Sequence, residues 1–143
     1  MTVGLDPEEV ERITFTESEE SLLKTHLLNG SRTKTVEVLG HTILLRTISV
    51  REELEVISLI KEWEDTRGFS KAFKTAVLAA AIVTIDGEPP YTPLSPEEKS
   101  TLPRKFERVG KFYPLFVNKI YEGFRELEED TDQLLQKLTS GKD

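Results

Sequence analysis

Residues 33–54 read TKTVEVLGHTILLRTISVREEL. Two runs rich in β-branched side chains, residues 35–39 and 42–48, flank a turn centred on Gly40, and this pattern predicts a β-hairpin. An isolated two-stranded hairpin is marginally stable in water. We therefore expect a helix to pack across the hairpin, or a neighbouring chain to add a strand to its open edge.

Two helices are predicted after the hairpin. Ser49 begins the first, because Glu52 lies three residues later at the spacing of a capping box. One face with a helical period is expected up to about Asp65. It comprises Leu54, Ile57, Ile60 and Lys61, with Val56 and Trp63 beside them. Ser70 is expected to cap a second helix that runs to about Ile85. Its residues 76–83 are apolar on all sides, which is typical of a central helix.

Proline marks the remaining boundaries. Residues 86–93 form a proline-rich surface connection, and Ser95-Pro96 is a further helix start. Pro103 ends or restarts that helix, and Pro114 kinks the next helix or opens a new one. An apolar stripe then continues from residue 116 to residue 138.

The expected fold class is therefore mainly α (α+β), a small β-hairpin followed by a bundle of about four helices. At 143 residues the chain has the length of one ordinary domain. We divide it into an acidic N-terminal arm with a leucine-bearing helix (residues 1–32), a hairpin and helical-bundle domain (residues 33–138) and a tail (residues 139–143).

Composition excludes several classes of chemistry. The chain has no cysteine, which excludes disulfides, thiolate metal sites and cysteine catalysis. No apolar run approaches the roughly 20 residues that span a bilayer. Residues 1–6 lack the basic and apolar regions of a secretory signal. We therefore expect the protein to remain in the cytoplasm where it is made, or within an assembled particle, without a membrane partner.

Charge is distributed unevenly along the chain. The net charge is −7, and residues 1–24 hold seven acidic and two basic side chains, a local net charge of −5. Phosphate repels such an arm, so nucleic acid is not an expected partner. One basic stretch comprises Lys99, Arg104, Lys105, Arg108 and Lys111. It is either a solvated helix face or a seat for an acidic partner, such as the arm of this chain or of a neighbour.

The other candidate partner-binding residues are leucines, a tryptophan and two arginines. The leucines are Leu22, Leu23, Leu27 and Leu28. They fall on one helical stripe of the arm, which folds onto its own domain or docks on another chain. Trp63 is either a core residue or an interface anchor. Arg46 and Arg51 flank the junction of hairpin and helix, where they form structural salt bridges or bind a carboxylate of a partner.

No catalytic or metal-binding constellation is recognised. The adjacent acids at residues 52–53, 97–98 and 128–130 lie at expected helix starts or on polar faces, and the helix dipole accounts for the first two pairs. His26 and His41 each lack a second histidine at ligand spacing. No phosphate-loop, dinucleotide-binding, zinc-protease or EF-hand motif is present. We expect a protein that is not an enzyme and that has no cofactor and no metal site.

Three segments of the chain carry a family resemblance: residues 36–40 (VEVLG), 43–54 (ILLRTISVREEL) and 76–87, which begins AVLAAAI and ends IDG. They resemble small proteins encoded in bacteriophage tail modules, namely the tail assembly chaperones and related tail proteins. The shared pattern is a short hairpin, an "L-R-x-[LIT]-[ST]-x-x-E" start to a helix, and an alanine-rich helix ending in "D-G". The resemblance spans residues 35–127, about two-thirds of the chain.

The resemblance implies a non-enzymatic role. Tail assembly chaperones bind the long tape measure protein, keep its apolar helices from aggregating and help to recruit tail tube subunits. The implied partners are phage tail proteins (tape measure, tube or baseplate subunits) within an oligomeric or multi-protein assembly. The implied location is the host cytoplasm during assembly. The alternative is a structural subunit of the tail tip, baseplate or neck that is retained in the mature virion tail.

Overall fold

The computed structural model describes residues 32–91 and 100–140, with side chains up to residue 137. The predictions made for the N-terminal arm, including its leucine stripe and His26, lie outside these residues. The helix start at Ser95-Pro96 and the basic residue Lys99 lie outside them as well.

The described residues confirm the expected mainly α (α+β) class. The strands are β1 (Thr33–Val38), β2 (His41–Arg46) and β3 (Ile82–Ile85), and the α-helices are α1 (Val50–Leu59), α2 (Phe69–Ala81), α3 (Leu102–Val109) and α4 (Pro114–Ser140). A 3₁₀ turn (Lys61–Trp63) follows α1. Pro114 opens a new helix, α4, and does not kink an existing one. Helix α4 ends at Ser140, two residues past the predicted domain end at residue 138.

The predicted β-hairpin is confirmed. Strands β1 and β2 pair antiparallel, with Val38 opposite His41, so that the turn consists of Leu39 and Gly40 alone. Both turn residues have positive φ, 47° and 87°, which a two-residue turn of the I′ type requires at both positions. Glycine adopts this conformation at no steric cost, which explains its place at the second position.

The prediction of a helix continuing to Ile85 is wrong, because α2 ends at Ala81 and Ile82 begins strand β3. Strand β3 pairs antiparallel with β2, with Ile43 opposite Ile85, which gives a three-stranded sheet in the order β1-β2-β3. Residues 82–85 are Ile-Val-Thr-Ile, all β-branched, and the open edge of β2 offers them a ladder of backbone hydrogen bonds. The expected cap at Ser70 is also wrong, because Gly68 occupies the N-cap position.

An Asp-Gly turn closes β3 and ties it to the hairpin. Asp86 and Gly87 both have positive φ, 53° and 84°. The Asp86 carboxylate accepts a hydrogen bond from the Thr42 N–H at 2.8 Å, and its Oδ2 lies 2.6 Å from Nδ1 of His41. These two hydrogen bonds lower the pKa of Asp86. The "D-G" pair therefore ends a strand and not a helix, and His41 has a structural partner.

The core lies between the sheet and helices α2 and α4. Its largest fully buried side chains are Ile43, Leu45, Val56, Ile60, Leu78, Ile82, Val109, Ile120, Phe124 and Leu127. Helix α2 contacts α1, α3 and α4, and its buried alanines let these neighbours approach closely. The prediction that this apolar segment is central is confirmed for residues 76–81. Within the described part of the chain, no helix has the length and apolar character needed to cross a bilayer.

Candidate interaction surface

Helix α1 leaves an apolar stripe on its outer side. Val50, Leu54 and Ile57 follow one another at spacings of four and three residues, so they project from the same side of the helix. Their side chains are 71%, 61% and 51% exposed. We refer to these three residues as the α1 stripe. Large aliphatic side chains in a line on a helix surface are typical of a face that another polypeptide covers.

Aromatic side chains extend the apolar surface along the chain beyond α1. Trp63, Phe69 and Phe73 are each 38–40% exposed. Phe69 and Phe73 stack on one another on the first turns of α2, with ring centroids 6.2 Å apart. A β-carbon at Gly68 would lie 3.1 Å from Cε3 of Trp63, so the missing side chain at this position makes room for the indole ring. We refer to these three residues as the aromatic edge.

The face that α1 turns to the core differs from the expected one. Val56 and Ile60 are buried as expected, at 1% each, but Leu54 and Ile57 point to solvent. The single apolar face predicted for this helix is therefore wrong. Helix α1 carries apolar residues on two sides, and a periodicity argument alone does not reveal which side meets the rest of the protein.

The N-terminus of α1 is held in place by the side chains of Arg46 and Ser49. Arg46 donates from Nη1 to Oε1 of Glu52 at 2.8 Å, and from Nη2 to Oε2 of the same carboxylate. The Ser49 N–H donates to the Glu52 carboxylate at 2.9 Å, and the Glu52 N–H donates to Ser49 Oγ at 3.3 Å. This reciprocal arrangement confirms the capping box predicted from the sequence.

The proton affinities of this ion pair follow from its surroundings. Burial raises the pKa of Glu52, but the hydrogen bonds from Arg46 and Ser49 favour the carboxylate and leave the pKa below its ordinary value. The hydrogen bond to Glu52 raises the pKa of Arg46. Both side chains therefore remain charged at neutral pH, and Arg46 is engaged within its own chain.

Lys105 lies beside this pair and is 7% exposed. Burial and, to a smaller extent, the nearby positive charge of Arg46 lower the pKa of Lys105 to about 8, and the carboxylate of Glu52 opposes this shift. All three side chains border a cavity of about 60 Å³. It is lined by Arg46, Glu52, Glu55, Ala79, Ala80, Ser100, Thr101, Leu102 and Lys105. This volume accommodates about two water molecules and is too small for a substrate pocket. The charged side chains around it come from β2, α1 and α3.

The other basic residues of this stretch border a groove at the surface. Arg104 and Arg108 on α3, and Lys111 just after it, line this groove of about 730 Å³ together with Pro89, Tyr91, Pro103 and Glu107. The Arg108 guanidinium lies over the ring of Phe112, 5.7 Å from its centroid. Lys111 Nζ lies 3.7 Å from Glu107 Oε1. The structure thus divides the predicted basic stretch, because Lys105 is buried while its neighbours Arg104 and Arg108 border the groove.

The remaining predicted site residues are not brought together. Arg51 lies on α1, where its Nε is 3.5 Å from Oε1 of Glu55 on the next turn. Such exposed pairs contribute little to stability. In the described ranges, no group of three or more histidine, aspartate or glutamate side chains is placed to hold a metal ion.

Comparison of the chain with family models, with curated proteins and with solved structures finds no match.

Proposed function

We propose that this protein is a non-enzymatic bacteriophage tail morphogenesis protein that acts as a tail assembly chaperone. In this proposal it binds other tail proteins, first the tape measure protein, through the α1 stripe and the aromatic edge. The single observation that carries the binding role is the exposure of Val50, Leu54 and Ile57 in one line on α1. The assignment to phage tails comes from the sequence resemblance.

The energetics favour a role in binding. Full burial of an aliphatic side chain contributes roughly 1.5–3 kcal/mol of favourable free energy. Covering the exposed parts of Val50, Leu54 and Ile57 therefore contributes on the order of 1 kcal/mol each to binding. An amphipathic helix laid against such a stripe buries side chains at the same helical spacing. The apolar helices of a tape measure protein fit this requirement, because they also need cover until assembly.

The charged cluster supports a structural role over a catalytic one. Its carboxylate Glu52 is held by Arg46 and by the start of α1. Lys105, whose pKa is lowered to about 8, borders a cavity of about 60 Å³. A drug-sized ligand requires a pocket of roughly 300 Å³ or more, so this cavity offers no room for a substrate.

Co-expression with the tape measure gene of the same phage tests the chaperone role. We expect the tape measure protein to be soluble with this chain and aggregated without it. Equal solubility in both cases would contradict the proposal. Mass spectrometry of purified virions separates the alternative role: a chaperone is absent from the mature particle, whereas a tail-tip, baseplate or neck subunit is present in it.

A further inference from the structure

Strand β1 forms an edge of the sheet. The strand order is β1-β2-β3, so β2 pairs with one side of β1, and no strand within residues 32–91 and 100–140 pairs with its other side. The side chains of Thr33, Thr35 and Glu37 on this six-residue strand are exposed. An open strand edge is a template on which another chain can add a strand through backbone hydrogen bonds.

The register of the hairpin determines which backbone groups face the open side. Arg32 lies opposite Thr47, and the Thr47 N–H donates to the Arg32 carbonyl oxygen at 2.8 Å. Backbone groups alternate in direction along an antiparallel strand, so every second residue after Arg32 also faces β2. The N–H and C=O groups of Thr33, Thr35 and Glu37 therefore point away from the sheet. They offer three donors and three acceptors over about 14 Å of strand.

A groove of about 240 Å³ lies between β1 and one flank of α4. It is lined by Val36, Glu37, Val38, Leu39, Lys119, Glu122, Gly123 and Glu126. Lys119, Glu122 and Glu126 follow one another at spacings of three and four residues, so they project from the same side of α4. Because Gly123 lets α4 approach Val36 closely, this charged flank lies next to the strand edge. A strand added to β1 would thus place every second side chain against the flank.

Charge determines which kind of segment the groove fits. Its charged lining residues are three glutamates and one lysine, a net charge of −2. Lys34 Nζ lies 3.8 Å from carboxylate oxygens of both Glu126 and Asp130. Lys34 and Asp130 add one charge of each sign, so the acidic excess remains. A basic segment is therefore attracted, whereas a second copy of this chain would bring the same acidic flank and be repelled.

We propose that an extended, basic segment of a partner protein adds to the open side of β1 as an antiparallel fourth strand. Its backbone pairs with Thr33, Thr35 and Glu37, and its lysine or arginine side chains on the α4 side extend toward Glu122 and Glu126. Such side chains cover apolar surface with their stems and keep the charged group at the carboxylates. This surface shares no residue with the α1 stripe or the aromatic edge, so the inference does not rest on the proposed function.

A synthetic peptide tests the strand addition. The probe is fluorescein-labelled TKTKTKT, and fluorescence anisotropy measures its binding to the full chain. With the lysines on the α4 side, the threonine N–H groups of the probe face β1 and the lysine N–H groups face away. N-methylation of the third and fifth residues, both threonine, should weaken binding at least about tenfold. The matched control is N-methylated at the second and fourth residues, both lysine, and should bind within about twofold of the unmodified probe.

Two variants of the protein test the site itself. Thr35→Pro removes an outward N–H and leaves the ladder between β1 and β2 intact. Glu122→Lys/Glu126→Lys reverses the charge of the groove, and Glu62→Lys/Glu64→Lys is the control with the same change in net charge. We expect the first two variants to bind the unmodified probe at least about tenfold more weakly and the control within about twofold of the wild type. Circular dichroism verifies that each variant folds.

Each contrary result overturns a stated part of the proposal. No binding of the unmodified probe at about 1 mM, or equal weakening by both N-methylation patterns, would overturn the strand addition. This comparison uses the unaltered protein, so it decides even if Thr35→Pro does not fold. Wild-type binding by Glu122→Lys/Glu126→Lys would overturn the basic occupant. A wild-type dimer that Thr35→Pro converts to a monomer in sedimentation would assign the edge to a second copy instead.

Discussion

Val36 on β1 and Gly123 on α4 approach so closely that a β-carbon at position 123 would lie 3.3 Å from Cγ1 of Val36. The same β-carbon would lie 3.6 Å from Cδ1 of Leu45 on β2. Helix α4 crosses the sheet at this glycine. A residue with an unfavourable helix propensity is kept there because a larger side chain would push helix and sheet apart.

Replacing this glycine by a large side chain should destabilise the domain. We expect Gly123→Leu to lower the free energy of unfolding by about 2 kcal/mol, because the added atoms overpack the contact with Val36. Urea denaturation measures the change. Lys119→Leu, one turn earlier on α4 and half-exposed, is the control and should change stability by no more than about 0.5 kcal/mol. Equal effects of the two substitutions would contradict the close packing at position 123.

The pair formed by Arg46 and Glu52 should be important for stability. Glu52→Gln keeps the shape of the side chain but leaves the Arg46 charge without its partner. We expect the free energy of unfolding to fall by about 2 kcal/mol. Thermal unfolding compares this variant with Glu53→Gln, whose side chain is exposed on the same turn. A loss at Glu53 as large as that at Glu52 would show that the ion pair is not the cause.

Lys105 should make stability depend on alkaline pH. Its pKa is lowered to about 8 in the folded protein from 10.5 when unfolded, so between these values the unfolded chain binds the extra proton. Stability therefore rises with pH through this window, by about 2 kcal/mol between pH 7.5 and 9.5. Well below pH 8 both states are protonated and the cost of burying the charge is present in full.

Chemical denaturation at several pH values measures this rise. Lys105→Met removes the titrating group and fills a similar volume. The variant should therefore lack the increase in stability between pH 7.5 and 9.5, while the remaining lysines and tyrosines still titrate. A rise of the same size in Lys105→Met would assign the pH dependence to other groups.

The two faces of α1 should respond differently to truncation. Ile60→Ala removes the fully buried side chain of the residue that caps the C-terminus of α1, and it should lower the free energy of unfolding by about 2–4 kcal/mol. Leu54→Ala shortens a side chain that is 61% exposed, so we expect a change within about 0.5 kcal/mol. Parallel urea titrations provide the comparison. Comparable losses would mean that the isolated domain buries Leu54.

Local signals in the sequence predict much of the fold. The capping box of Ser49 and Glu52 and the turn at Gly40 involve neighbouring residues, so their geometry depends little on the rest of the chain. Strand β3 is not predictable from local sequence, because its conformation depends on a partner that is distant along the chain. Residues 82–85 follow an alanine-rich helix without a glycine or proline between them, and only the open edge of β2 makes them a strand.

The candidate surface was harder to predict for a related reason. Leu54, Ile57, Val56 and Ile60 all fit a helical period, and which of them face the core depends on where α2 packs. Charge along the sequence groups Lys105 with its basic neighbours and does not reveal that this one side chain turns inward beside Glu52. The sequence indicates that Arg46 and Arg51 flank the start of α1, but only the structure shows that their partners are internal.

The most direct measurement is the amount of tape measure protein that co-purifies with charged variants of the α1 stripe. We predict that Leu54→Glu/Ile57→Glu folds normally and retains less than about one-tenth of the wild-type binding, because two central apolar contacts become buried charges. Leu115→Glu, an exposed leucine on α4, is the control and should bind as the wild type does. Wild-type binding by the double stripe variant would contradict the assignment of α1 as the binding surface.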